Sequence, residues 1–390
     1  MLANSTSIYF VSSTRHLLWA NAIAENTQLS EQNVLILADS FNDADVFLEI
    51  IQQQVVLGIS PFCEVFLMQE KFTCGREKNR LKRFYLKSFK EHRQLALLRK
   101  VARNYKVNIV LTSEVNDVFT QYLLNEIRTL QGVVQCHYIE DGLFSYIEKP
   151  VKQLSKLALF KRRLKYGRFY QAPFETGAAP WVSDAWVVNP DLVTAAIKEK
   201  NVHAIALGWF ESKVLKDLRE RFFRQKKLSV SAIKEIGVLL ILDVIPNMKK
   251  LDSNYLTSLG DAVKLLIKSG FQVVIKPHPR DKTNVVGLFE DALQQYIRLL
   301  PKGLPTEFII PLLSDGAVAF GDASSAFVDL RLQRQDVKLF VVETSQQGFS
   351  YQSIFNRLGI KAYSSYRELV DASLLEMLDV TATINDRTIK

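Results

Sequence analysis

Two doubly wound α/β domains are what this sequence predicts, and three observations predict them. Apolar, β-rich runs of four to eight residues alternate with amphipathic stretches along the whole chain, as parallel strands joined by helical crossovers do. At 390 residues the chain is long enough for roughly two such domains. With 48% apolar and 23% charged residues, each domain has material for a substantial core.

The strands are expected in order at residues 8–11, 34–38, 65–68, 107–111, 133–139 and 185–188 in the first series. In the second they fall at 238–242, 271–275, 308–310, 317–320 and 339–342. Most are continuous apolar runs, as expected of strands covered on both faces. Helices fill the gaps, including 16–25, 91–103, 116–131, 253–269 and 366–378. The charged stretch 211–227 separates the two series. The expected division is a first domain over 1–210, a linker over 211–235, a second domain over 236–365, and a C-terminal helix over 366–390 that packs back on the first domain.

Several classes are set aside by composition. There is no low-complexity tract, internal repeat or Ser/Gly-rich linker. Cys63, Cys74 and Cys136 are too few and too scattered for a disulfide framework or a zinc site, so reduced, buried thiols are expected. The first eleven residues lack the cationic start and cleavage site of a signal peptide, and Gly58, Pro61 and Glu64 interrupt the longest apolar stretch, 55–68. A soluble, cytoplasmic protein is expected.

A formal charge of +9 and a pI near 9.2 favour an anionic partner: nucleic acid, an anionic lipid surface or an acidic polysaccharide. The charge is concentrated. One run carries Arg76, Lys78, Arg80, Lys82, Arg83, Lys87, Lys90, Arg93, Arg99, Lys100, Arg103 and Lys106 against only Glu77 and Glu91. A second, Lys152, Lys156, Lys161, Arg162, Arg163, Lys165 and Arg168, contains no acid. Both have helical spacing of apolar residues, so each reads as an amphipathic helix that either presents a solvated face or holds a polyanion.

Three motifs lie just after predicted strands, where doubly wound sheets bind ligands. In Lys276-Pro277-His278-Pro279-Arg280 the prolines hold Lys276 and His278 in extended geometry at a cationic strand end. Such a histidine can donate to a phosphate oxygen, or the segment can be a rigid turn with a solvated ring. Glu140-Asp141-Gly142 can aim a carboxylate into a site, or be a plain turn. Ser324-Ser325, after Asp322, can put hydroxyls and backbone N–H groups on a phosphate at a helix start, or simply cap the helix. Glu307 is a carboxylate able to accept from ribose hydroxyls. The segment from Ser12 through Thr14 and Arg15 to His16 either lines a site or caps a helix, and capping is the stronger reading. No GxGxxG, GxxxxGK[ST] or HExxH motif occurs.

Taken in order, Glu140-Asp141-Gly142, His278-Pro279 and Ser324-Ser325 resemble the acidic-acidic-Gly, His-Pro and Ser-Ser/Thr motifs of bacterial sialyltransferases, most closely the capsular polysialyltransferases. The resemblance implies a GT-B glycosyltransferase, two Rossmann-like domains facing across a cleft, the first binding acceptor and the second the CMP-sugar. It implies an inverting, metal-independent transfer from CMP-sialic acid to an oligo- or polysialic acid, with no cofactor. Glu140 would be the general base, and His278 would stabilise or protonate the CMP phosphate. Lys276, Pro279, Glu307, Ser324 and Ser325 would bind the donor. Acceptor contacts are expected from Thr14, Arg15, Arg99, Lys100, Arg103, Lys106, Arg162, Arg163 and Lys165, with peripheral attachment to the inner membrane and to capsule assembly proteins. Alternatives are a lipooligosaccharide mono-sialyltransferase, a CDP-glycerol-type glycerophosphotransferase, and a non-catalytic basic polyanion binder.

Overall fold

A computed structural model describes residues 4–68, 80–148, 151, 153–343 and 351–372. The chain divides into two compact units, Met1–Leu228 and Ser229–Lys390.

In the first unit the apolar runs form β1 (Ser5–Val11), β2 (Gln32–Ala38), β3 (Glu64–Met68), β4 (Lys106–Thr112), β5 (Gln135–Ile139), β6 (Val182–Val187) and β7 (Asn201–Ala204). They lie in the order β3-β2-β1-β4-β5-β6-β7, every pairing parallel. Strand order reverses between β1 and β4. The helix Thr14–Asn26 follows β1 and buries Leu17, Leu18, Trp19 and Ile23. Because β1 and β2 are covered on both faces, their carboxyl-end halves, Ile8 to Val11 and Val34 to Ala38, are continuous apolar runs and wholly buried.

The second unit repeats the plan with β8 (Val238–Ile241), β9 (Val273–Lys276), β10 (Ile297–Leu299), β11 (Val318–Asp322), β12 (Lys338–Val342) and β13 (Lys361–Tyr363). Their order is β10-β9-β8-β11-β12-β13, again all parallel, with the reversal between β8 and β11. Gly321 is required here. At its φ of 145°, an added Cβ would stand 1.9 Å from the Ile241 carbonyl oxygen, so only glycine lets β11 lie against β8.

The expected linker and one expected strand differ from what is observed. Much of 211–235, expected as a linker, is the helix Lys213–Gln225 of the first unit. Beneath its charged face it buries Val214, Leu215, Leu218, Phe222 and Phe223; Phe222 stacks on Phe47 at 4.9 Å, and Gln54 donates to Asp217 at 2.9 Å. The expected strand 308–310 is helical instead, Thr306–Ile309 running into Ile310–Leu312, a short apolar run set between Pro305 and Pro311.

Residues 366–372 are helical, and Tyr366 and Leu369 join the core of the second unit; residues 373–390 lie outside the described residues. Cys136 is buried but Cys63 is exposed, contrary to expectation, because it sits at the entry to edge strand β3; Cys74 lies outside the described residues. Among the described residues no helix is long and apolar enough to cross a membrane.

Candidate active site

At the carboxyl ends of β1, β4 and β5, on and beside the reversal point of the first sheet, six polar side chains come together. They are Ser12 and His16 after β1, Ser113 and Glu114 after β4, and Glu140 and Asp141 after β5.

The acidic turn is held rigidly. Gly142, at φ 56°, lets the chain turn out of β5, and the Asp141 backbone N–H donates to Ser145 Oγ at 2.8 Å and to the Tyr138 hydroxyl at 3.0 Å. The two carboxylates separate. Glu140 is fully enclosed: Oε1 accepts from Arg15 Nη2 at 2.5 Å, and Oε2 accepts from the Val188 N–H at 2.6 Å and from the Tyr146 hydroxyl. Asp141 is the outward member, 40% exposed, with Oδ1 on His16 Nε2 at 3.0 Å. The resemblance assigns the base to Glu140, yet in this structure that carboxylate has no open face.

His16 is almost completely buried. Its Nδ1 lies 2.6 Å from Ser113 Oγ and 3.2 Å from Ser12 Oγ, and Ser12 in turn donates to Glu114 at 2.9 Å. A carboxylate only accepts, so the proton shared with Asp141 resides on Nε2, and in that tautomer Nδ1 is the ring nitrogen beside the Ser113 hydroxyl. Ser13, between these groups, caps the helix by accepting from the His16 N–H at 3.1 Å. The segment thus lines the site and caps the helix at once.

The second unit places His278 after β9 and Ser324-Ser325 after β11, on either side of β8. The His-Pro turn is clamped from beneath. Lys276 is buried, and its ammonium donates to the carbonyls of Pro277 at 2.9 Å and Lys302 at 3.2 Å; burial holds its pKa at about 8. Lys276, expected among the donor contacts, is turned inward here and fixes the turn through backbone carbonyls. Asp281 adds a second clamp, accepting from the Ile245 and Thr283 N–H groups.

Half-exposed His278 accepts the Arg280 backbone N–H on Nδ1 at 3.1 Å, which leaves Nε2 to carry the outward proton. Burial lowers its pKa, opposed by the carboxylate of Asp243, which follows β8. Ser324 caps the helix Ser325–Gln333 through the Ala326 N–H at 3.3 Å, and both serines are half-exposed. Pro279 is exposed, and Glu307 is half-buried in the first turn of Thr306–Ile309, where its charge acts on Lys276.

Matching this arrangement, the family model described as alpha-2,8-polysialyltransferase (POLYST) aligns with residues 7–343 and so spans all the motifs above. The chain belongs to the alpha-2,8-polysialyltransferase family. No curated protein matches it. Among solved structures it is similar to the UDP-GlcNAc 2-epimerase from Methanocaldococcus jannaschii, with a TM-score of 0.55 and 11% identity over 94% of this chain and 91% of that one. A putative UDP-N-acetylglucosamine 2-epimerase from Listeria monocytogenes gives 0.49 and 12% over 97% and 89%. The E. coli ADP-heptose lps heptosyltransferase II gives 0.42 and 11% over 99% and 100%. The first of these supports the fold alone: two parallel-sheet, Rossmann-like domains of the GT-B kind. With the family established, the polypeptide is a glycosyltransferase of the sialyltransferase type.

The cations expected to hold a polysialyltransferase acceptor fall into two groups. Arg15 is buried on Glu140 and over the Trp19 ring at 4.7 Å. Arg99 pairs with Glu126 at 3.2 Å, and Lys165 with Glu91 at 2.9 Å. Arg162 bonds the Tyr170 hydroxyl, and Arg163 donates to the Tyr170 carbonyl at 3.0 Å. These five act first as structural ties, because each has a partner within reach that charge counting alone does not reveal. Lys100, Arg103 and Lys106 are exposed, and Thr14 is half-buried at the helix start. Of the first basic run, Arg76 and Lys78 lie outside the described residues, as does Lys152 of the second.

Proposed function

We propose that the protein transfers sialic acid from CMP-sialic acid to the non-reducing end of an oligo- or polysialic acid, with inversion and without a metal, in capsule synthesis. The observation that carries this reading is the placement of His278 and Ser324-Ser325 on either side of β8, in a member of the polysialyltransferase family. A CMP leaving group bears one phosphate. One imidazole Nε2–H, two hydroxyls and the start of the helix Ser325–Gln333 are donors enough for the charge that develops on it. Pro279 and Glu307 complete the donor side, Glu307 toward the ribose. The acidic turn of the first unit supplies the carboxylate that takes the acceptor proton.

Lys100, Arg103 and Lys106, gathered at the amino end of β4 and so one strand length from the acidic turn, give a long acceptor, with one carboxylate per sugar, a solvent-facing set of cations whose hold weakens as salt rises. Incubation with CMP-sialic acid and a short oligosialic acceptor, with and without EDTA, tests the reading. Elongation with stoichiometric CMP release, unchanged by chelation, is expected; no release of CMP overturns the donor assignment.

Attachment to an anionic membrane surface belongs to the same proposal. The helix Lys156–Tyr166 has no buried residue and exposes Leu157, Phe160 and Leu164 at helical spacing, among Lys156, Lys161 and its other cations. Flotation with anionic vesicles should be lost in Leu157→Glu/Phe160→Glu, and retention in that variant would refute the contact.

A further inference from the structure

We propose that His137, Asp184, Trp186 and His203 form an acid-sensitive latch across β5, β6 and β7, closed at neutral pH, opened by one proton on His137 and coupled to the acidic turn. The latch goes beyond the sialyl-transfer reading and does not depend on it. In the parallel ladder His137 lies beside Asp184, and Trp186 beside His203. Both imidazoles reach the one carboxylate: His137 Nε2 is 3.2 Å from Asp184 Oδ2, and His203 Nε2 is 2.8 Å from Oδ1. The Trp186 indole N–H donates to His137 Nδ1 at 3.3 Å, and the indole stacks on His203 with ring centroids 4.5 Å apart.

These partners fix the protonation of the His137 ring. An indole N–H only donates and a carboxylate only accepts, so Nδ1 is bare and Nε2 carries the proton. A second proton has only Nδ1 to occupy, where it sets N–H against N–H and breaks the bond to Trp186. Burial works against that proton and lowers the pKa of the ring; Asp184 on β6 opposes this, and His203 on β7 adds to it. Between the ordinary histidine value of about 6.5 and this lower one, the unfolded chain holds a proton that the folded chain lacks. The latch is therefore intact above that window and is lost as pH falls through it.

β6 and the residue after it carry the change onward. The Trp186 carbonyl accepts the Glu140 N–H at 3.0 Å, and the Val188 N–H donates to Glu140 Oε2 at 2.6 Å. On the other side, His203 belongs to the four-residue edge strand β7. Loss of the Trp186 bond thus loosens the strand that lies between the acidic turn and the sheet edge.

NMR of the isotope-labelled full chain, titrated from about pH 7.5 to about pH 5, tests the latch. The Trp186 indole N–H signal should shift reversibly with a single midpoint below about 6.5, and the His137 ring signals should titrate at the same midpoint. The Val188 amide should follow them. In His137→Gln, which cannot take up the proton, the indole and amide shifts should be lost; in His203→Asn they should persist. The shared midpoint is read on the unmodified chain and requires no variant to fold. An indole signal that stays still, or that shifts as far in His137→Gln, overturns the latch. So does a shift lost in His203→Asn, since His203 would then be the titrating group. A Val188 amide that does not share the midpoint overturns the coupling to the acidic turn.

Discussion

The two units place opposite chemistry at and beside the reversal points of their sheets. In the first, the reversal point has an imidazole inside, His16, and a carboxylate outside, Asp141. In the second, an imidazole is half outside, His278, while the carboxylates of Asp281 and Asp322 are buried. Both sheets are parallel and both strand orders reverse once, so the fold does not account for the difference. It lies in the residues after the strands: an acidic pair before Gly142 in one unit, and a histidine between two prolines in the other. A half-exposed acid suits removal of a proton from a neutral hydroxyl, and a half-exposed Nε2–H suits an anionic leaving group.

The largest effect should follow from removing the outer imidazole of the second unit. His278→Ala is expected to lower kcat by about 10²–10⁴ and to abolish slow hydrolysis of the donor as well, since both routes release CMP. The fold should survive, because the turn is held by Lys276, Asp281 and Lys302. Asp141→Asn should instead spare CMP binding. If His278→Ala releases CMP at the unmodified rate, the contrast between the units does not describe the chemistry.

Much of this was legible in the sequence, for local reasons. The central strands are continuous apolar runs, and the three motifs sit at strand ends wherever the strands fall. What escaped depends on partners distant in sequence. β7, β10 and β13 are outer strands of three or four residues, too short to show a pattern. His16 and Asp141 are separated by 125 positions, and only the parallel order β1-β4-β5 brings them together. Arg15, expected among the acceptor contacts, is buried on Glu140 by the same folding. Asp243 gave no sequence signal, being an ordinary acid after a strand until β8 is seen between β9 and β11.

The smallest effect sharpens the comparison through the inner carboxylates. Glu140 is buried against a cation, whereas Asp322 is buried among neutral donors: the Tyr255 hydroxyl at 2.7 Å, the Tyr366 hydroxyl at 2.9 Å and the Asp243 N–H at 2.8 Å. Burial therefore outweighs these bonds and pushes the Asp322 carboxyl up to about 6. Between the ordinary aspartate range near 4 and this value, the folded chain keeps a proton that the unfolded chain has released. Stability should then fall as pH rises through that window, by on the order of 3 kcal/mol, and level off above it. Asp322→Asn cannot ionise, and its amide oxygen can still accept from the tyrosines. The difference between the unfolding free energies of the two proteins, followed from pH 4 to pH 7, should trace the titration of this one group. Parallel curves would show that Asp322 titrates normally, and that its neutral partners suffice to hold the carboxylate.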